Sequence, residues 1–220
     1  MRKLIASTFM TLDGVMQAPG GPEEDPTGGF TQGGWSFSYW DETMNKAMGE
    51  TMSVPFDLIL GRKTYEIFAA HWPYAGDNPI TALFNKATKY VASRTLSKLD
   101  WVNSKRIQGD VAGEVARLKA GDGPELQVHG SSGLLQTLTG ADLIDEYRVW
   151  IFPLVLGHGK RLFETGAPPR ALALTDSKLS STGVLINTYR PAGAVKPGSF
   201  GHQTPSEAEL ARRAKMAREG

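Results

Sequence analysis

Residues 57–66 read Asp57-Leu58-Ile59-Leu60-Gly61-Arg62-Lys63-Thr64-Tyr65-Glu66, and they predict a short strand, a glycine turn and the first turn of a helix. The uninterrupted apolar run 58–60 is typical of a strand that is covered on both faces of its sheet. Gly61 permits a sharp turn, and a cation and a hydroxyl follow it. The first backbone amides of a helix lack internal partners and carry partial positive charge. The stretch therefore predicts an anion site, although an ordinary strand-to-helix turn has the same pattern.

The composition of the chain fits one sizeable domain and excludes several classes of protein. The 220 residues are 40% hydrophobic and carry a formal net charge of +1. This charge gives no bias towards nucleic acid or a membrane, so neither is expected as a partner. The sequence contains no cysteine, which excludes disulfides and thiol catalysis and fits a cytoplasmic protein. The histidines show no metal-ligand spacing, so no metal site is expected.

Predicted strands and helices alternate along most of the chain. The strands are expected at 3–10, 58–60, 89–93, 106–108, 126–128, 145–153, 171–178 and 184–189. The helices are expected at 41–53, 63–69, 80–85, 110–119, 134–139 and 207–218. This alternation favours an α/β sheet that ends in an antiparallel hairpin. Residues 1–191 are interpreted as one domain, and 192–220 as an extension that is either a solvated tail or a subunit contact.

A long irregular segment, 17–39, is rich in glycine and aromatic residues. Loops of this length inside a compact domain are usually functional or disordered. Trp35, Phe37 and the adjacent Trp40 fit a lid or pocket wall that stacks on a flat substrate. The alternative is that these aromatic side chains anchor the loop to the core.

Three of the predicted strands end in small or polar residues just before a helix or turn. In an open α/β sheet, ligands bind outside the carboxyl ends of the strands, so the three loops are candidates to surround one extended ligand. The third loop suits a diphosphate, and Arg62 and Arg94 suit an additional ribose phosphate, which favours NADP over NAD. For each loop the alternative is a capped helix. The candidate cofactor-binding residues are Gly61, Arg62, Lys63, Thr64, Ser93, Arg94, Thr95, His129, Gly130, Ser131 and Ser132.

Five motifs occur in a characteristic order between residues 11 and 163. They are Thr11-Leu12-Asp13-Gly14, Gly33-Gly34-Trp35, Leu60-Gly61-Arg62-Lys63-Thr64-Tyr65-Glu66, Val128-His129-Gly130-Ser131, and Asp145-Glu146 followed by Leu154-x-Leu156-Gly157-x-Gly159-Lys160-x-Leu162-Phe163. Together they resemble the dihydrofolate reductase-like superfamily, most closely the reductase domain of bifunctional riboflavin-biosynthesis proteins and its stand-alone relatives. The resemblance covers residues 1–191. It implies a three-layer α/β fold, with a mixed, mostly parallel sheet flanked by helices, and it implies NADPH as hydride donor and a homodimer.

The resemblance also implies roles for individual residues. Asp13 would border the nicotinamide and the substrate, where a carboxylate can donate or relay a proton, although an Asp-Gly turn needs no chemistry to explain it. The remaining roles are Gly61, Arg62 and Thr64 at the cofactor phosphates, Ser93 and Arg94 at the adenosine ribose phosphate, and Gly130, Ser131 and Ser132 at the diphosphate and nicotinamide ribose.

These expectations converge on an NADPH-dependent oxidoreductase that transfers a hydride to a small flat heterocycle, such as a pterin or a pyrimidine. Two other hypotheses stay open at the level of sequence. One is a nucleotide-binding sensor or partner protein of the same fold without turnover. The other is a structural dimer in which the three loops only cap helices.

Overall fold

An eight-stranded sheet forms the centre of the computed structural model, which describes residues 1–201 and 204–219. In spatial order the strands run β4-β3-β2-β5-β1-β6-β8-β7. Strands β1 to β6 are parallel, and β8 runs antiparallel to both β6 and β7. The strands are β1 Leu4–Thr11, β2 Phe56–Gly61, β3 Lys89–Ala92, β4 Ser104–Ile107, β5 Glu125–Val128, β6 Glu146–Phe152, β7 Leu172–Leu179 and β8 Leu185–Pro191.

Helices cover both faces of the sheet, and the predicted mostly parallel α/β fold with an antiparallel C-terminal hairpin is confirmed. The helices are α1 Glu42–Met52, α2 Arg62–His71, α3 Pro79–Lys86, α4 Val111–Ala120, α5 Ser132–Gly140 and α6 Glu207–Glu219. Each predicted strand and helix is found, and most of the bounds differ from the expected ones by no more than two residues.

Strand β2 shows why three layers form. All six of its residues are buried. Because successive side chains of a strand point to opposite faces, Leu58 and Leu60 pack into one hydrophobic cluster with Tyr65 of α2 and Phe84 of α3. Ile59 packs on the other face, in the cluster that contains the buried leucines of α5. An uninterrupted apolar run is what such a doubly covered strand requires.

The parallel arrangement places the carboxyl ends of the central strands at one edge of the sheet. Strand β5 lies between β1 and β2, and Gly61 at the end of β2 pairs with Ala92 at the end of β3. The loops that leave β1, β2 and β5 therefore emerge side by side. The candidate site forms at this edge.

The C-terminal extension adds a helix that contributes nothing to the core. Helix α6 has no buried residue, and Ser206 caps it by accepting a hydrogen bond from the backbone N–H of Glu209 at 3.2 Å. The predicted extension also includes His202, Gln203 and Gly220, which lie outside the described residues. Within the described parts of the chain, no helix is both long and apolar enough to cross a bilayer.

A buried ion pair clamps the opposite, amino edge of the sheet. Arg2 precedes β1, and its guanidinium pairs with the carboxylate of Asp57 in β2, with the two side chains 5% and 12% exposed. Arg2 also donates to the carbonyl of Pro124, just before β5. The other carboxylate oxygen of Asp57 accepts from the backbone N–H of Thr88, just before β3, at 2.9 Å. This cluster joins four strands at the edge away from the candidate site.

We expect Asp57→Ala to lower the free energy of unfolding by about 3–5 kcal/mol, because it leaves the Arg2 charge buried without a partner. Urea denaturation measures this loss. The control is Glu114→Ala, which removes an exposed partner of Arg117 and should cost roughly 0.5 kcal/mol or less. Equal losses in the two variants would contradict the clamp.

Candidate active site

A cavity of about 1220 Å³ opens at the carboxyl edge of the sheet. Its walls come from the middle of β1, the long loop after β1, the ends of β2 and β3, and helices α1 to α5. The lining residues are Ser7, Thr8 and Phe9, then 16–25, then Trp40, Met48 and Met52, then Gly61, Arg62, Lys63, Thr64, Ile67, Phe68, His71 and Trp72, then Ile80, Phe84, Ala92 and Val111, and finally 129–134, Thr137 and Lys160.

Two of the three predicted cofactor loops meet in this cavity. Residues 61–64 and 129–132 line it together, although the two loops are separated by more than 60 residues in sequence. The third loop lies at the adjacent strand end, but Ser93, Arg94 and Thr95 do not line the cavity. The Ser93 hydroxyl instead accepts from the backbone N–H groups of Thr95 and Leu96, at 3.2 and 3.0 Å. The cofactor roles of Ser93, Arg94 and Thr95 stay predictions.

A close contact between Gly61 and Ser131 joins the two loops. The Ser131 hydroxyl accepts from the Gly61 backbone N–H at 3.0 Å and donates to the hydroxyl of Thr64 at 2.5 Å. A Cβ on residue 61 would lie only 2.7 Å from the Ser131 Oγ. The backbone of Gly61, with φ −75° and ψ 164°, is open to any residue. Glycine is therefore required for the approach of Ser131, and not for a sharp turn as the sequence had indicated.

The helices that begin at this contact differ from those that begin elsewhere. Helices α1, α3 and α4 are capped by Asp41, Asn78 and Asp110, whose side chains accept from backbone N–H groups at 2.9, 2.9 and 3.1 Å. Helices α2 and α5 begin at Gly61 and Ser131, and no described side chain caps them. Their first amides face the cavity without a partner from the protein, as binding of an anion requires.

The backbone before α5 is strained. Gly130 has φ +90°, and Ser131 follows with φ +62° and ψ 76°, in the left-handed region. A residue with a side chain pays a cost of about 1–2 kcal/mol in this region. The hydrogen bonds of Ser131 to Gly61 and Thr64 hold it there. Strain of this kind is concentrated at functional sites.

The structure gives Asp13 a structural contact and places it outside the cavity lining. Its carboxylate accepts from the Thr11 hydroxyl and from the backbone N–H groups of Leu156 and Gly157, at 2.5, 3.2 and 2.8 Å. Burial alone would raise the pKa of Asp13, but these hydrogen bonds outweigh it and lower the pKa. An ionised carboxylate held in this way ties the β1 loop to the 156–161 turn. Its predicted role as a proton donor stays untested, and these contacts do not support it.

The three predicted substrate-binding aromatics have different environments. Trp35 is buried, donates its Nε1–H to the carbonyl of Gln17 at 2.8 Å and packs edge-on against Phe152. It therefore anchors the loop, as the alternative interpretation held. Phe37 is 84% exposed and does not line the cavity. Trp40 alone of the three borders the cavity, where it stacks on Trp150 at 5.8 Å.

The loop after β1 is fastened across the cavity by two lysines. The Lys63 Nζ donates to the Thr27 hydroxyl at 2.8 Å, and the Lys160 Nζ donates to the same hydroxyl at 3.0 Å. Lys160 also forms an ion pair with Asp25. Lys63 was predicted as a cofactor-binding residue. Its ammonium holds the loop in this structure, and its cofactor role stays a prediction.

Sequence reasoning missed most of the apolar half of the cavity. The sequence did not reveal Met48 and Met52 as pocket residues, because an apolar stripe on a helix looks the same over a core and over a pocket. Both line the cavity, with Phe68 of α2, Trp72 directly after α2 and Phe84 of α3, and Met52 also belongs to a buried core cluster. A run of methionines was the one available signal, since this flexible side chain adapts to ligands as well as to cores.

His129 lies on the wall of this apolar half and was predicted only as a cofactor contact or a structural residue. The rings of Phe56, Phe68 and Phe84 lie 6.4, 6.5 and 5.8 Å from it. Burial and, secondarily, the charge of Arg148 lower the pKa of His129 to about 4. The imidazole is therefore neutral at physiological pH. Among the described residues no three His, Asp or Glu side chains gather as metal ligands.

Comparison with known proteins identifies the family of this chain. The sequence model described as the RibD C-terminal domain matches residues 2–186, most of the chain. The chain belongs to the RibD C-terminal domain family. This confirms the resemblance to the riboflavin-biosynthesis reductase domain.

Individual proteins resemble this chain over most of its length. Protein YyaP of Bacillus subtilis (strain 168) is 28% identical over 197 residues, covering 86% of this chain and 94% of YyaP. A putative riboflavin biosynthesis protein from Shewanella sp. PV-4 has a similar structure, with a TM-score of 0.59 at 20% identity over 87% of this chain and 99% of that one. Dihydrofolate reductase from Enterococcus faecalis complexed with NADP(H) gives a TM-score of 0.52 at 14% identity, over 86% and 96% of the two chains. The fold is thus of the reductase type and dihydrofolate reductase-like.

We expect Gly61→Ala to lower the free energy of unfolding by about 1–3 kcal/mol, because the new methyl group overlaps Ser131 and forces the two loops apart. Chemical denaturation measures the loss. Gly133→Ala is the matched control. It lies in the first turn of α5, where an added Cβ meets nothing within 4 Å, so its stability should be unchanged or slightly higher. A neutral Gly61→Ala would show that the approach of the loops is not tight.

The lowered pKa of His129 predicts a pH dependence of stability. Between its usual pKa of 6.5 and about 4, the unfolded chain binds a proton at this site that the folded chain does not, so stability falls as the pH is lowered through this window. The loss amounts to at most roughly 3 kcal/mol. Denaturation between pH 7 and pH 4 should therefore show a steeper loss for the unaltered protein than for His129→Leu. Parallel curves would contradict a buried neutral imidazole.

Proposed function

We propose that this protein is an NADPH-dependent oxidoreductase that transfers a hydride to a small flat heterocyclic substrate of the pterin or pyrimidine type. The observation that carries the proposal is the pair of uncapped helix starts, α2 and α5, which meet at Gly61 and Ser131 and face one cavity. Two sets of free amides side by side suit the two phosphoryl groups of a dinucleotide. Membership of the RibD C-terminal domain family and the fold shared with an NADP(H)-bound dihydrofolate reductase support the same cofactor.

The residues present at these helix starts fit the phosphates of the cofactor. The amides of 62–64 and 132–134, with the hydroxyls of Thr64 and Ser131, would hold the diphosphate. Arg62 is exposed, and its only described ion pair, with Glu66 at 3.0 Å, lies on the helix surface and contributes little. Arg94 follows the end of β3, which pairs with the end of β2. Arg62 and Arg94 are the guanidinium groups nearest in sequence to these strand ends, and they would bind the phosphate that distinguishes NADPH from NADH.

The cavity has room for a second ligand beside the cofactor. Its volume of about 1220 Å³ exceeds that of a pocket for one drug-sized molecule, which is roughly 300–1,000 Å³. When bound, the reduced nicotinamide supplies the hydride. The chain contributes alignment through Ser7, Thr8 and Phe9 in the middle of β1, and it excludes water through the loop fastened by Lys63 and Lys160.

We expect the double change Arg62→Ala and Arg94→Ala to weaken NADPH binding about tenfold or more, because a charged hydrogen bond to phosphate is lost, while NADH binding changes little. Calorimetric titration of both dinucleotides measures the difference. Arg117→Ala, an exposed change on α4, is the control. Equal weakening of NADPH and NADH would contradict the phosphate assignment, and no binding of either at millimolar concentration would overturn the proposed function.

Turnover is tested separately from binding. Loss of absorbance of the reduced nicotinamide, measured with a panel of pterins, pyrimidines and quinones, would establish a reductase. Tight NADPH binding without oxidation across the panel would instead favour a nucleotide-binding protein without turnover.

We also propose that the protein is a homodimer. Strand β7 is an edge of the sheet, and its apolar Leu174 and Leu179 are 55% and 66% exposed. An uncovered edge strand with exposed leucines is a ready surface for a second chain. Sedimentation equilibrium should give twice the mass of one chain, and Leu179→Lys should shift it towards the monomer. A monomer at all concentrations would contradict this.

A further inference from the structure

A polar floor lies beneath the apolar half of the cavity. Glu125, Gln127 and His129 alternate along β5 and its end, so their side chains share one face of the sheet. The Gln127 Nε2 donates to the Glu125 Oε1 at 2.6 Å, and the Gln127 Oε1 lies 2.7 Å from the Nε2 of His129. Arg148, on β6, donates to Glu125 at 3.0 Å. Gln127 is fully buried. A buried polar chain on a core face needs a reason beyond packing.

The order of these contacts determines which nitrogen of His129 carries the proton. The Glu125 carboxylate, held by the permanently charged Arg148, only accepts. Gln127 must therefore direct its NH₂ group towards Glu125, which leaves its carbonyl oxygen facing His129. The Nε2 of His129 then donates to that oxygen. Because the ring is neutral, its Nδ1 is an acceptor.

The Nδ1 of His129 is open to the cavity. His129 lines the cavity, and no hydrogen-bond partner for Nδ1 is found among the described residues. Nδ1 is not one of the side-chain atoms of the described residues that are both fully buried and without a hydrogen-bond partner, so part of its surface is exposed. The cavity therefore presents one fixed acceptor nitrogen, which a ligand can reach.

The surroundings of this acceptor are apolar and flat. Trp72 and Phe84 stack at 4.4 Å with an interplanar angle of 12°. The side chains that line this half with them are Met48, Met52, Phe68 and Ile80. These two rings are in direct contact and together form one aromatic surface. Such a surface, with flexible thioethers beside it, suits a planar ring system.

Cationic side chains lie away from this half. Arg62 and Lys63 occupy the first turn of α2, and Phe68 and Trp72 follow it by roughly 8–15 Å along the helix at 1.5 Å per residue. Lys160 is paired with Asp25 under the loop. Along the described lining, the apolar half has no lysine or arginine, and its other histidine, His71, lies exposed at the rim. Arg148, whose charge reaches His129, is already paired with Glu125 and Glu146. A phosphate or carboxylate buried here would therefore have no lysine or arginine of the described lining beside it, which is costly.

We propose that the substrate side of the cavity takes an uncharged planar ring system that donates an N–H or O–H hydrogen bond to the Nδ1 of His129 and excludes phosphorylated analogues. The inference rests on the proposed function for its place opposite the cofactor. His129 is then the group that determines specificity, and Gln127 and Glu125 are positioning residues that fix its tautomer.

Three matched probes test this inference by calorimetry on the full chain, with and without NADPH. They are 2-naphthol, which donates a hydrogen bond, 2-methoxynaphthalene, which does not, and 2-naphthyl phosphate, which is an anion. We expect 2-naphthol to bind about tenfold more tightly than 2-methoxynaphthalene, as one buried hydrogen bond implies, and 2-naphthyl phosphate not to bind. This comparison uses the unaltered protein and does not depend on the folding of a variant.

Two histidine variants test whether His129 is the residue that distinguishes 2-naphthol from 2-methoxynaphthalene. His129→Leu should make 2-naphthol and 2-methoxynaphthalene bind equally, whereas His71→Leu, at the exposed rim, should leave the tenfold ratio intact. Three results in the unaltered protein would each overturn the inference. They are failure of 2-naphthol to bind, equal binding of 2-naphthol and 2-methoxynaphthalene, and tight binding of 2-naphthyl phosphate. If 2-naphthol behaves as expected but NADPH does not bind, the proposed function fails while the ring site stands. If NADPH binds but 2-naphthol does not behave as expected, the ring site fails and the cofactor assignment stands.

Discussion

The contact between Gly61 and Ser131 is the constraint on which the site depends. The parallel sheet delivers the ends of β2 and β5 to the same edge, but it does not by itself bring the following helices together. A missing Cβ does so, because the Ser131 hydroxyl lies 2.7 Å from the position that this Cβ would take. The same hydroxyl ties Thr64 and holds its own residue in a left-handed conformation. One short contact thus aligns two helix starts, two loops and one wall of the cavity.

The fold was largely predictable from local patterns. The apolar run 58–60 predicted a doubly covered strand, and the alternation of strands and helices predicted the mostly parallel sheet. The helix predicted at 41–53 begins at Asp41, whose side chain accepts a hydrogen bond from the backbone N–H of Met44 and caps the helix. These features depend on periodicity and on neighbours within four residues, which a sequence displays directly. The order of the strands in the sheet and the residues at which the helices end depend on distant partners, so only the structure reveals them.

The site was predictable only in part, for the same reason. The loops at Gly61 and at Ser131 were identified because glycine and hydroxyl residues stand at strand ends. The function of Gly61 was missed, because its partner is 70 residues away. The hydrogen bonds of Asp13 to the backbone of Leu156 and Gly157 were not foreseen, because these partners are 143 and 144 residues distant and a local pattern does not reveal them. The acceptor nitrogen of His129 follows from a chain of four side chains on two strands, which no motif encodes.

The uncapped starts of α2 and α5 have a consequence for the life of the protein in the cell. Two helix ends of the same partial charge lie side by side, and an anion bound between them would be stabilised by both. A ligand that binds the folded chain alone shifts the folding equilibrium in proportion to the logarithm of its concentration. If the dinucleotide proposed above is that ligand, the abundance of the protein would follow the supply of the dinucleotide. Turnover by proteases would be fastest when that supply is low.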